Sequence, residues 1–310
     1  MFDLGIIEIF LLIGIGALVG LSISFVGQTG QGVVLPTVLL ITGDVFLAIA
    51  INLLNDFITV SLVSIKYIRR KEFHIRQDIL IIILISIGVS FVGVLILMTT
   101  ALGNIYGWFI PLFIILLGLS FMKKGFPTTE SIRNMVKKFN KRFKGSKEKN
   151  FNEKSMRNDN NADPDKENED DINGFIKKGS KLFYILAIFF GIFIGINSGL
   201  FGASSGLIFV LVLVILYGFP LKRGVGTALI LSMIVTFCSF VFYEILGFTI
   251  KNTIFFNIEI SFYLALGSVI VGIIASSYVQ KLPAKTMGRL IGLIIAILGA
   301  ISLIFYLIKI

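Results

Sequence analysis

Gly27-Gln28-Thr29-Gly30-Gln31-Gly32, with Pro36 close behind, interrupts one apolar run, and Gly202-Ala203-Ser204-Ser205-Gly206 interrupts another. Glycine breaks a helix at little steric cost and lets the backbone come close to another group. A break at membrane depth exposes amides and carbonyls that hydrocarbon cannot solvate. It persists only where it is buried in protein or lines a cavity. The helix that resumes afterwards opens with unbonded N–H groups and the positive end of its dipole, which suits an anion. Two such openings meeting near the membrane midplane would hold one negatively charged group between them.

The surrounding composition requires lipid as the solvent. Apolar residues make up 56% of the 310, charged residues only 15%, and the mean hydropathy is +0.94. A soluble domain must put far more charge on its surface. The net charge of +10 lies in connections beside apolar runs, so it reads as membrane topology and not as a nucleic-acid surface. Cys238 and His74 are single, which excludes a disulfide framework and a Cys/His metal site. No Gly-x-x-x-x-Gly-Lys-Ser/Thr loop is present, and no cofactor motif is read. The start, with Asp3 and Glu8 and no basic n-region, reads as a first membrane helix.

Apolar segments run over 5–27, 30–42, 45–66, 78–100 and 104–122, then over 182–203, 205–217, 222–246, 255–279 and 287–309. Segments 30–42 and 205–217 are too short for ordinary spans, and each is second in its half. Short or interrupted segments at matching places in two halves point to a transporter site. Gly16, Gly20, Gly27 and Gly43 are each followed 175 residues later by Gly191, Gly195, Gly202 and Gly218. Gly88 and Gly93 match Gly267 and Gly272 at 179. The expected fold is therefore an all-α polytopic membrane protein of two repeats, 1–122 and 182–310. Each repeat has a broken, short helix pair followed by three spanning helices.

Loop cations orient the halves. Lys66, Arg69, Arg70, Lys71 and Arg76 place the connection after the third segment in the cytoplasm. Counting from there puts both termini outside and 123–181 inside. Lys222, Arg223, Lys281, Lys285 and Arg289 also fall inside, so the second repeat is inverted relative to the first. The connection itself begins with Ile132, Met135, Val136, Phe139 and Phe143 at helical spacing among cations, a pattern for anionic lipid. From Asn158 to Asp171 it is acidic and Asn-rich, with almost nothing to bury, and reads as disordered. A tolerated linker is the plainer reading and a regulatory part the other.

Within this frame the substrate-binding candidates are Gln28, Thr29, Gly30, Gln31, Asn52, Asn197, Ser204, Ser205 and Gly206. Asn52, Asn55 and Asp56 share one face at i, i+3 and i+4. An ionisable group inside a membrane is costly and points to function, so Asp56 is the candidate for a coupling proton. A structural hydrogen-bonding cluster is the rival reading. Asn197 and Ser198 lie one turn before the second break, and Glu8, Glu244 and Glu259 read as interfacial. Gly202-Ala203-Ser204-Ser205-Gly206 also fits a Gly-x-Ser-x-Gly nucleophile turn. That chemistry needs a base, and the lone His74 belongs to the basic loop, so no enzyme is expected.

A glycine-rich helix, a Gly-x-Gly-Gly-Gly-like break and a downstream Pro, in a pattern that occurs twice with a turn glycine ending the second segment, resemble the sulfite exporter TauE/SafE family. The resemblance rests on Gly27–Gly32, Pro36 and Gly43 and on Gly202–Gly206 and Gly218, and covers both apolar halves without the linker. It implies a multi-span cell-membrane transporter of sulfite, sulfonates or related organosulfur anions. The breaks depart from the family pattern at Gln28-Thr29-Gly30-Gln31 and Ala203-Ser204-Ser205-Gly206, and Leu211 stands opposite Pro36. The added amides and hydroxyls suit a polar anion. An anion pore and a non-transporting membrane scaffold or sensor are the alternatives.

Overall fold

A computed structural model gives the fold of residues 5–26, 31–71, 73–74, 77–100, 119, 181–219 and 221–279, with isolated positions 293, 297, 300 and 304. Residues 27–30 of the first break, the connection 123–181 up to Ser180, and nearly all of the segments 104–122 and 287–309 lie outside the described residues. Every described element is helical. The helices are α1 Ile6–Val26, α2 Gln31–Thr42, α3 Val45–Arg69, α4 Gln77–Thr99, α5 Lys181–Gly199, α6 Gly206–Ile215, α7 Leu221–Leu246 and α8 Ile258–Val279. A π-helical turn, Gly247–Lys251, prolongs α7. Among the described residues α1, α3, α4, α7 and α8 contain stretches long and apolar enough to cross a membrane.

The two short helices, α2 and α6, begin 175 residues apart, as do α1 and α5. Both short helices end on a left-handed glycine, Gly43 at φ +72° and Gly218 at φ +69°. A side chain there would be strained, and the turn lets late N–H groups cap the helix. Gly43 N–H donates to Leu39 O (2.8 Å), and Phe219 N–H donates to Leu213 O (3.1 Å). Asp44 then starts α3, its Oδ1 accepting from Phe46 N–H (2.8 Å) and Leu47 N–H (3.3 Å).

Helices exchange partners between the halves. α1 packs along α8, and α4 along α5. Small residues let the backbones touch, which is how helices associate where lipid tails remove the hydrophobic drive. A Cβ on Gly16 or Gly20 would strike the carbonyls of Leu264 and Ser268, and one on Gly267 would strike that of Ile13. In the second pair, Gly195 and Gly199 lie against the backbone at Ser86 and Ser90. Hydroxyls fasten the same seams. Ser24 Oγ donates to Gly272 O (2.6 Å), and Ser86 Oγ donates to Gly191 O (3.1 Å).

The registers of these contacts fix helix direction. Ser24 meets Gly272, Thr59 meets Ser268 (2.5 Å) and Lys66 Nζ donates to Ile273 O and Ser277 Oγ (both 2.5 Å). Residue numbers rise together along α1, α3 and α8, so these three run one way. Along α3 and α7 the numbers run oppositely: Phe46 stacks on Phe255, Phe57 meets Phe237, and His74 N–H donates to Thr227 Oγ1 (3.0 Å). α7 therefore runs against α3, and α4, which α3 reaches through a short turn, and α5 run with α7. α3 and α7 are the most enclosed spans. The large apolar side chains of α1, α4, α5 and α8, such as Phe10, Leu84, Phe189 and Ile270, point outward. An outward apolar face is where lipid is the solvent.

Gly20→Leu should destabilise the protein by about 2 kcal/mol or more, because the clash is with backbone that cannot turn aside. Gly14 and Gly88, where an added Cβ meets nothing within 4 Å, serve as controls. Thermal unfolding in detergent should separate Gly20→Leu from near-neutral Gly14→Ala and Gly88→Ala.

Candidate functional site

The second break joins α5 to α6 over Leu200–Ser205 and is buried from Gly202 onward. The chain leaves α5 with Ala203 N–H donating back to Asn197 O (3.2 Å). Gly202 takes φ +60°, and a Cβ there would drive into Ile49 of α3. Only glycine meets both demands. Ser205 stands at the N-cap of α6, but its side chain does not cap the helix. Its Oγ donates instead to Ile194 O (3.0 Å) and accepts from Asn197 Nδ2 (3.4 Å). The serine anchors the break to α5. The N–H groups of Gly206, Leu207 and Ile208, which have no carbonyl within the helix to bond, receive no cap from the Ser205 side chain. The first bond within α6 is Phe209 N–H to Ser205 O (2.9 Å).

The break is held by the other half of the chain. Asn52 Nδ2 donates to Gly202 O (2.7 Å), and Ser204 N–H approaches Asp56 Oδ2 (3.4 Å). Asn52, Asp56 and Ser204 are all buried, with Asn52 and Asp56 fully so. Two polar oxygens in this patch, Asn52 Oδ1 and Ser204 Oγ, meet no hydrogen-bond donor among the described residues. Buried polar atoms without partners are rare and call for an explanation.

The expected shared face of Asn52, Asn55 and Asp56 divides. Asn52 and Asp56, four residues apart, face the break, whereas Asn55 turns to α8 and accepts from Ser268 Oγ (3.0 Å). Ser198 also turns away, pairing with Ser239 Oγ (2.7 Å), which pairs in turn with Ser90 (2.6 Å). Tyr243, which no sequence signal singles out, donates its hydroxyl to Gly199 O (2.8 Å) where α5 ends. Thr227, at the position matching Asn52, binds the backbone of His74. Gln28, Thr29 and Gly30 lie outside the described residues; Gln31 opens α2, its side chain outside them. Glu244 is half-buried near the end of α7 and accepts from Phe255 N–H (3.2 Å), tying down the turn into α8.

A family model described as Sulfite exporter TauE/SafE matches residues 12–302, nearly the whole chain. The chain belongs to that family. No curated protein and no solved structure matches it significantly. TauE/SafE proteins are membrane transporters and not enzymes, and membership together with the apolar helices makes this a multi-pass membrane transporter of a small anion. The family match spans both sequence halves, and the broken segment described above lies within the matched residues.

Gly202→Ala should cost about 1–3 kcal/mol from backbone strain, with the Ile49 clash added. Ile49→Ala should recover the clash and leave the strain. A double-mutant cycle on unfolding midpoints therefore expects a coupling of about 1 kcal/mol between the two positions.

Proposed function

We propose that this TauE/SafE member is a secondary transporter of sulfite, sulfonates or related organosulfur anions, working by alternating access around the paired helix breaks. The carrying observation is the opening of α6, an enclosed helix N-terminus that its N-cap residue, Ser205, leaves without a side-chain cap. A helix start presents about +0.5 of a charge, and in a low dielectric that favours an oxyanion. The three sulfonate-type oxygens would accept from the Gly206, Leu207 and Ile208 amides, and Asn197 could add a donor by releasing Ser205. Gln28, Thr29, Gly30 and Gln31 of the first break would complete the site from the opposite side.

The two halves, 1–122 and 182–310, are in this reading inverted repeats joined by the cytoplasmic linker 123–181, with both termini outside. The common offset of α1/α5 and α2/α6 supports it, as do the opposite directions of α1 and α5, of α3 and α7, and of α4 and α8. Inverted halves give two related conformations in which one gate exchanges for the other. Aromatic contacts stand at each end of the α3–α7 pair. Phe46 stacks on Phe255 at one end (5.6 Å), and His74 meets Phe219 edge-on at the other (5.9 Å). Opening one set while the other stays closed is the motion the reading requires.

Labelled sulfite in proteoliposomes tests the transport reading. Flux should saturate and show counterflow; unitary currents without counterflow would replace the transporter with a pore. Gly206→Leu should lower sulfite flux at least about tenfold by blocking approach to the amides, with insertion into the membrane unchanged. Wild-type flux in that variant would move the site away from α6.

A further inference from the structure

We infer that Asn52, Asp56 and Ser204 form a binding site for a sodium ion beside the second break, distinct from the amides that open α6. The orientation of one side chain is fixed by its partner. A backbone carbonyl only accepts, so the atom of Asn52 that lies 2.7 Å from Gly202 O must be its amide nitrogen. That leaves Asn52 Oδ1 committed to the patch, fully buried and facing no donor among the described residues. Ser204 repeats the pattern. Its N–H is directed at Asp56, and its Oγ, in a residue only 3% exposed, likewise meets no donor among the described residues.

The groups gathered here are an amide oxygen, a hydroxyl oxygen and a carboxylate, with the Gly202 carbonyl adjoining. Oxygen donors with one formal negative charge are the chemistry of a hard monovalent cation, and unwound backbone beside a helix end is where transporters coordinate one. An anion in this patch would face the Asp56 carboxylate and the Asn52 amide oxygen and would be repelled. A proton would neutralise Asp56 and could satisfy one more oxygen, leaving the other without a partner. A sodium ion satisfies the amide and hydroxyl oxygens together. It also cancels the carboxylate charge next to the α6 opening, so that an anion and Asp56 can be accommodated side by side.

The halves differ at these positions. The residues 175 further on from Asn52 and Asp56 are Thr227 and Leu231, and Thr227 is engaged with the backbone of His74. One sodium site per chain follows, fixed to α3 and the second break. The assignment deepens the transport reading by supplying its coupling ion and moves Asn52 and Ser204 from substrate to cation. Sodium binding itself is measurable with no sulfite or sulfonate present.

The test is thermal unfolding of the full-length protein in detergent, titrated with sodium chloride against choline chloride at equal ionic strength. A ligand that binds only the folded state raises the midpoint in a saturable way. Sodium should do so and choline should not. Asp56→Asn, an uncharged isostere, should remove the sodium response, and Ser204→Ala should weaken its half-saturation about tenfold, as for one lost ligand. Ser276→Ala, whose hydroxyl donates to Ile273 O on α8, should leave it unchanged. Equal effects of sodium and choline, a sodium response retained in Asp56→Asn, or a midpoint that follows pH alone at fixed sodium would overturn the assignment. Sulfite flux separates the two readings: flux that persists undiminished without sodium sinks the cation site and leaves the anion site standing. If sulfite flux is absent while Asp56-dependent sodium binding is present, only the anion reading fails.

Discussion

Backbone that leaves a helix inside a membrane must find its partners in protein, and this requirement organises the centre of the molecule. Gly202 O and the N–H of Ser204 are groups that lipid cannot serve. Asn52 and Asp56 serve them from α3, a helix of the other half, one turn apart on one face. Ile49, one turn earlier, sits so close to Gly202 that no side chain fits there. The break is therefore shaped by α3 as much as by its own glycines. Where α6 begins, and what its first amides can bind, follows from that clasp.

Around this centre the bundle is assembled by exchange. The first helix of each half lies on the fourth helix of the other, backbone to backbone, with glycines at the crossings. Serine and threonine hydroxyls then join neighbouring helices at the same levels, as in the chain Ser198–Ser239–Ser90. Such bonds are individually modest within membranes, on the order of 1 kcal/mol. Their effect is to fix register between helices whose outward faces are uniformly apolar. The more enclosed helices, α3 and α7, cross the middle in opposite directions, with aromatic contacts near both ends of the pair.

Much of this plan is written in the sequence because it depends on local chemistry. Gly43 and Gly218 announce the ends of α2 and α6, since a left-handed turn needs glycine and the two lie at one offset. The expected segments 30–42 and 205–217 match α2 and α6 to within a few residues for the same reason. What is not legible is which side chain reaches across to which break. Asn52, Asn55 and Asp56 look equivalent by helical spacing, yet about 100° per residue carries Asn55 round to Ser268. Ser198 looks like a site residue by proximity and is instead a tie to Ser239. Tyr243 leaves no signal at all, because an aromatic residue in an apolar span is ordinary until its hydroxyl is seen on Gly199 O.

The pairing of α1 with α8 also bears on how the chain is made. Ser24 and the carbonyl it binds are 248 residues apart. During synthesis the first helix enters the bilayer long before its partner exists, with the glycine face of Gly16 and Gly20 turned to lipid or to a temporary neighbour. The early helices can insert but cannot settle, and the bundle closes only when α8 arrives. A chain stopped after α4 would lack the surface of α8 on which its first helix rests. Neighbours along the chain and neighbours in the assembled bundle are different sets of helices in this protein.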